Sequence, residues 1–200
     1  MAVKSRATQS ISGEPSSQDQ TRLVQQYCLG DRSAFAVLVQ IWEHRLLTIA
    51  YRVVGNVHDA EEVRQIVLLK LAQSLPKLDD PARFAGWLRR CAVNEAVTWL
   101  RRRGAETKRR ETFDAAGADA GPTPPEQALA AERSQRLQQA LARLDPDARA
   151  VLSLRFDEGM TIRQIAEVLE KPPMTVHSQI ARAVGQLRQR LAANSEEGIA

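Results

Sequence analysis

FAGWLRRCAVNEAVTWLRRR, residues Phe84 to Arg103, sorts apolar and basic side chains onto separate faces of one helix. Phe84, Trp87, Leu88, Cys91, Ala92, Ala96, Trp99 and Leu100 recur at spacings of three and four, the period of a helix with one buried stripe. Arg90, Asn94, Thr98 and Arg101 share another face, because steps of three or four residues return to nearly the same angle. Residues 83–110 hold nine Lys and Arg against two acids, so most of the positive field of a chain with net charge +4 sits here. A polyanion suits such a surface: Arg offers forked donors to phosphate and Asn an amide that can pair with a base edge. A solvated basic helix would carry the same charge, and charge alone does not separate the two.

The rest of the chain sets the frame. At 200 residues and 44% hydrophobic content it is long enough for one moderate domain or two small ones. Aromatics are few, helix formers dominate, and an all-α architecture follows. Cys28 and Cys91 lie far apart in apolar-periodic stretches, which predicts buried free thiols rather than a disulfide and fits a reducing cytoplasm. No apolar run opens the chain and none later reaches the roughly 20 residues of a membrane span, so neither a signal peptide nor an anchor is expected. Charge is uneven: residues 1–110 net +7 and residues 111–200 net −3.

In chain order, residues 1–20 read as a disordered tail and 21–103 as a first domain of four helices. Its helices run from Thr21 to Cys28, from Ser33 (the expected cap) to Val54, from His58 to Ser74, and from Phe84 to Arg103. The third buries Ala60, Val63, Val67 and Leu71 and is expected to show Asp59, Glu62 and Gln65 outside. Residues 104–125, rich in Gly, Ala, Asp and Pro, read as a flexible linker, and 126–192 as a second domain, with 193–200 a tail. That domain is predicted to hold a helix from Glu126 to Leu144 and one from Asp147 to Asp157. A short helix from Thr161 to Leu169 follows, then a turn through Glu170, Lys171 and Pro172, and a long helix from Pro173 to Leu191. Two helices joined by so short a turn, with small Ala166 between them, form a helix-turn-helix pattern. Such a unit sets its second helix into the major groove, where Thr175, His177, Ser178, Gln179 and Arg182 can reach base edges and phosphates.

The order of these pieces resembles bacterial RNA polymerase sigma factors of the extracytoplasmic-function (ECF) group, within the sigma-70 family. GNVHDAEEVRQIVLLKL is similar to the helix that docks on the polymerase clamp, and FAGWLRRCAVNEAVTWLRRR to the minus-ten reading helix. LARLDPDARAVLSLRFDEGMTIRQIAEVLEKPPMTVHSQIARAVGQLRQRL resembles the minus-thirty-five reading domain almost from end to end. The resemblance implies that residues 21–103 are sigma domain 2 and 126–192 sigma domain 4, with Asp59, Glu62 and Gln65 contacting core polymerase. It further implies that Arg90, Asn94, Val97, Thr98 and Arg101 face the melted minus-ten strand, while the loop from Leu75 to Phe84 holds a flipped base whose extrusion stacking and hydrogen bonds must offset. Trp87 and Trp99, on the apolar stripe, belong to the core. Thr175, His177, Ser178, Gln179 and Arg182 would read the minus-thirty-five duplex.

Departures from the family pattern bear on strength of binding. Ile66 stands where the family often has Glu, and His177, Gln179, Ala181 and Val184 where it commonly has Lys, Arg, His or Arg. Fewer cations release fewer counterions, so the second domain is expected to bind weakly alone and to depend on its tether to the first.

The function implied is that of a promoter-specificity subunit, with core RNA polymerase and promoter DNA as partners, an anti-sigma factor as a further one, and the bacterial cytoplasm as its place. Neither catalysis, a cofactor nor a metal is expected: His44, His58 and His177 have no Cys or carboxylate at ligand spacing, and no glycine-rich phosphate loop occurs. Two other readings stay open at this point: a sigma-like protein that occupies polymerase or a sigma regulator without initiating, and a DNA-binding repressor that works without polymerase.

Overall fold

The computed structural model describes residues 16–107 and 136–196, and every regular element among them is helical. The first helix, α1 (Ser17–Cys28), starts before the residue at which the sequence pattern becomes periodic. The reason is a capping box: Ser16 Oγ accepts from the Asp19 N–H at 3.2 Å, and the Asp19 carboxylate accepts from the Ser16 N–H at 3.1 Å. The expected tail therefore ends by residue 16; its residues 1–15 lie outside the described part, as do 108–135, most of the expected linker and the start of the helix from Glu126.

Helix α2 (Arg32–Val54) is capped by Asp31 rather than by Ser33, whose backbone N–H and hydroxyl both donate to the Asp31 carboxylate, at 2.9 and 2.6 Å. Gly55, at φ 91°, ends it in the left-handed conformation that glycine adopts without steric cost. Asn56 caps α3 (Val57–Ser74), and two single-turn 3-10 segments, Leu75–Lys77 and Pro81–Arg83, lead into α4 (Phe84–Thr107). The last of these continues past Arg103, into the first residues expected to be linker.

These four helices bury one another's apolar stripes. Leu38, Trp42, Leu46 and Ile49 of α2, Val63, Val67 and Leu71 of α3, and Leu88, Ala92 and Ala96 of α4 are fully buried. Burying one such large side chain stabilises by about 1.5–3 kcal/mol, so the stripes outweigh any surface contact. The Trp42 ring meets Phe84 edge-on, centroids 5.9 Å apart, and its Nε1 donates to Gln20 Oε1 at 3.2 Å. The two cysteines are free as expected, but only Cys91 is partly buried; Cys28 is exposed near the end of α1, where the stripe has run out.

Residues 136–142 form helix α5, followed by α6 (Pro146–Leu152), α7 (Ile162–Leu169) and α8 (Pro173–Glu196). The helix expected to reach Asp157 stops at Leu152 and passes into a π turn, Ser153–Asp157, closed by the Glu158 N–H on the Ser153 carbonyl at 3.1 Å. The extra residue turns Phe156 outward, leaving it 67% exposed. Thr161 and Gln164 form a capping box on α7, and Glu170 closes that helix at φ 51°.

The two bundles do not hold separate cores. A small cluster of Leu144, Ala148, Leu152 and Ala183 belongs to the second alone. Ala150, Leu154, Met160, Ile165, Val168 and Val176 instead join the core of the first, with α6 and α7 laid against α2 and α4.

Candidate nucleic-acid interface

Along α4 the expected apolar stripe is buried or half-buried, and a second apolar pair, Val93 and Val97, is buried as well. That pair lies on the side of Arg90, Asn94, Thr98 and Arg101, the face assigned to DNA, and it is covered by the second bundle. Asn94 and Arg101 remain exposed, and Arg90 and Thr98 are half-exposed. Val93, Asn94, Val97 and Arg101 line a cleft of about 310 Å³ whose far wall includes Asp147 and Leu169. A second cleft, about 520 Å³, opens beside the loop from Leu75 to Phe84. Leu78, Asp80 and Trp87 form one side of it and Gln164, Glu167 and Glu170 the other. Trp87 is thus half-buried and walls this cleft, not purely a core residue as expected. Trp99 packs against the core, its Nε1 enclosed without an acceptor.

Acids of the second bundle meet the basic face directly. Arg90 is ion-paired with Glu170, and Arg101 Nη2 with Asp147 at 2.7 Å. Arg89 Nε donates to Glu158 Oε2 at 2.6 Å, Arg45 approaches the same oxygen at 3.7 Å, and Arg52 lies 3.2 Å from Asp157. Sequence reading missed these partners. The one signal that could have found them was the net negative charge of the second half.

On α3, Gln65 is exposed and Glu62 partly so, as expected for an outward face. Asp59 departs from the expectation: its side chain is 5% exposed and paired with Arg103. It sits in the first turn of α3, beside the Asn56 cap, where it receives the Asn56 amide at 2.6 Å. His58 Nε2 lies 3.5 Å from Glu62, so one histidine does have a carboxylate neighbour at helical spacing. Among the described residues no group of three or more His, Cys, Asp or Glu is placed to hold a metal ion.

At the start of α8, Thr175, His177, Ser178 and Arg182 are exposed and Gln179 half-exposed, while Val176 and Ala183 point into the core. The Ser178 hydroxyl turns back to the carbonyls of Met174 and Thr175, both at 3.0 Å, so it is engaged within its own helix. No helix among the described residues is long and apolar enough to cross a membrane.

A helical bundle with a basic last helix, followed by a helix-turn-helix, is the arrangement of a sigma factor, and comparison with known proteins agrees. The family model for Sigma-70 region 2 matches residues 38–106, and that for Sigma-70, region 4 matches residues 134–187. The RNA polymerase sigma-H factor of Pseudomonas aeruginosa is 32% identical over 174 residues, covering 83% of this chain and 90% of its own. The ECF RNA polymerase sigma factor SigW of Bacillus subtilis is 28% identical over 177 residues, 84% of this chain and 94% of its own. Among solved structures, CnrH in complex with the cytosolic domain of CnrY superposes with a TM-score of 0.64 at 26% identity, covering 87% of this chain and 97% of that one.

The chain belongs to the sigma-70 family of RNA polymerase sigma factors, in its extracytoplasmic-function group. As a sigma factor it directs RNA polymerase to promoters.

Proposed function

We propose that the two matched regions divide this task between them. The first bundle, residues 21–103 in outline, binds core polymerase through the exposed side of α3, chiefly Glu62 and Gln65, and reads the melted minus-ten strand along α4. Arg90, Asn94, Val97, Thr98 and Arg101 are the strand-facing set, and the cleft at Leu78 and Trp87 receives the extruded base. The second bundle, residues 126–192, reads the minus-thirty-five duplex with Thr175, His177, Ser178, Gln179 and Arg182, joined to the first through residues 104–125. The partners are core polymerase and promoter DNA, with an anti-sigma factor as regulator. Its place is the bacterial cytoplasm, and it does no catalysis of its own.

The observation that supports this reading is the pairing, in one chain, of a guanidinium-bearing helix face with a separate recognition helix whose outer side faces solvent. Single strands are held by backbone phosphates and stacking, duplexes by groove contacts, and the two faces match those demands separately. Run-off transcription with purified core enzyme tests it: new start sites are expected. Arg90→Glu with Arg101→Glu should abolish promoter opening while core binding persists. Retained opening by that double variant would remove the strand-reading assignment.

A further inference from the structure

We propose that Met174 is a specificity residue of the second bundle, heading an apolar ridge of α8 that reads thymine methyl groups in the major groove. This rests on the assignment of α8 to the minus-thirty-five duplex.

Met174 is 77% exposed at the second position of α8. Exposure alone says little, since single apolar side chains are common on protein surfaces. Its place on the helix says more. At about 100° per residue, Met174, Ser178 and Ala181 fall within an arc of about 60° opposite Val176. Val176 and Ala183 are buried in the core, so that arc is the outermost line of α8, and all three residues on it are exposed. In a helix-turn-helix that line faces the floor of the groove.

Polar groups on this line are few. The Ser178 hydroxyl is held by the carbonyls of Met174 and Thr175, each at 3.0 Å, which leaves its methylene toward the groove. Beside it, the Gln179 Oε1 is enclosed without a donor, so that acceptor is turned from any base edge. Thr175, His177 and Arg182 stay exposed on either side of the ridge, placed for flanking bases and phosphates. Between them the helix offers a thioether chain, a methylene and a methyl.

That surface singles out one base. Thymine alone presents a methyl in the major groove, while the other bases present only donors and acceptors there. An apolar side chain gains by covering the methyl and loses by covering a polar edge that is then left unpaired, so the preference has an attractive and a repulsive part. Methionine, unbranched and flexible, can fit its chain to the methyl it meets. Gln179 and Ala181 stand where the family commonly has Arg and His, so cations supply less of the reading here and methyl contacts supply more.

The test uses holoenzyme assembled from purified core polymerase and the full chain. It selects from promoter duplexes randomised over one helical turn, about ten base pairs, at the minus-thirty-five position. Thymine should be enriched within that window on one strand or the other. The enriched duplex is then remade with deoxyuridine for thymidine in the window, which keeps every hydrogen-bonding edge and removes only the methyl groups. The parent should bind the uracil duplex about fourfold more weakly for each methyl it covers, and by the same factor at low and high salt, because no counterion is released. Met174→Ala should bind the thymine duplex more weakly and lose most of the difference between the two duplexes. Met174→Gln, of similar length but polar, should lose it as well. Equal binding of both duplexes by the parent, or a thymine preference undiminished in the two variants, overturns the proposal and leaves α8 as the reader. No enrichment anywhere in the window removes the assignment of α8 and the proposal with it.

Discussion

Arg103, at the basic end of α4, is ion-paired with Asp59 in the first turn of α3, and the aspartate is 5% exposed while the arginine is about half so. The pair ties the helix proposed to meet polymerase to the helix proposed to read DNA. Asp59 also receives the Asn56 side-chain amide, and its own backbone N–H donates to Asn56 Oδ1 at 2.8 Å, so it closes the N-terminus of α3. Asp59→Ala removes all the side-chain partners at once and is expected to destabilise the protein by about 1–3 kcal/mol, the cost of unmaking a buried charge-assisted network. Glu62→Ala and Gln65→Ala, on the exposed side, should stay within about 0.5 kcal/mol of the parent while weakening core binding. Urea unfolding of the three variants, read beside a core-polymerase pull-down, checks the split. Equal stability in all three would mean that Asp59 is as free as its neighbours.

The helices were legible because their apolar residues keep a single period. Trp42, Leu46, Ile49 and Val53 mark α2, and Leu88, Ala92 and Ala96 mark α4, and all of them are buried. The helix-turn-helix was legible for the same reason, down to Val176 and Ala183 on its inner side. What periodicity could not show was a second buried face. Val93 and Val97 are covered by a bundle more than forty residues away in sequence, and a helix clasped on two sides spreads its apolar residues around its axis. Asp59 was misplaced for a related reason: its angle on α3 is that of an outward residue, and only the return of Arg103 from the far end of α4 encloses it. The π turn at Ser153–Asp157 leaves no periodic trace, since five residues are too few to reveal one added position.

A local feature sets one pH response. The Asp31 carboxyl is held below the usual aspartate range by the Ser33 hydroxyl and then by the Ser33 backbone N–H. A carboxyl whose folded value is depressed adds stability above its unfolded value and loses it as pH falls through the folded one. Asp31→Ala should therefore lower the melting temperature near neutral pH, and the gap from the parent should narrow once pH drops below about 4. Asp31→Asn, which still accepts hydrogen bonds at an N-cap, should show a smaller gap at neutral pH. Melting curves over that pH range decide it, and a gap that widens on acidification would contradict the assignment.

The two thiols should behave differently. Burial pushes the Cys91 thiol up from its ordinary value, which lowers its thiolate fraction at neutral pH, and half-burial restricts access to it. Cys28 is exposed at the end of α1. Maleimide labelling near pH 7.5 should modify Cys28 first, by about tenfold or more in rate on accessibility and ionisation together, and Cys91 should catch up only when urea unfolds the bundle. Mass mapping of the labelled peptides over time reads the order. Faster modification of Cys91 would mean that the α3–α4 contact opens more readily than its packing suggests.

Glu170 sets a strained turn against an exposed ion pair. It is the one non-glycine residue with positive φ among the described residues, at 51°, and it ends α7 in the position that glycine favours at helix C-termini. Glycine there relieves the left-handed strain, about 1 kcal/mol for an ordinary residue, while the exposed pair with Arg90 that it removes is worth at most a similar amount. Glu170→Gly should therefore leave the melting temperature unchanged or slightly raised even though one bridge between the bundles is gone. Exposed Arg90 then gains freedom to meet a strand, and the salt dependence of single-strand binding should steepen by about one phosphate contact. A variant that melts clearly lower would show that the Arg90 pair outweighs the strained turn.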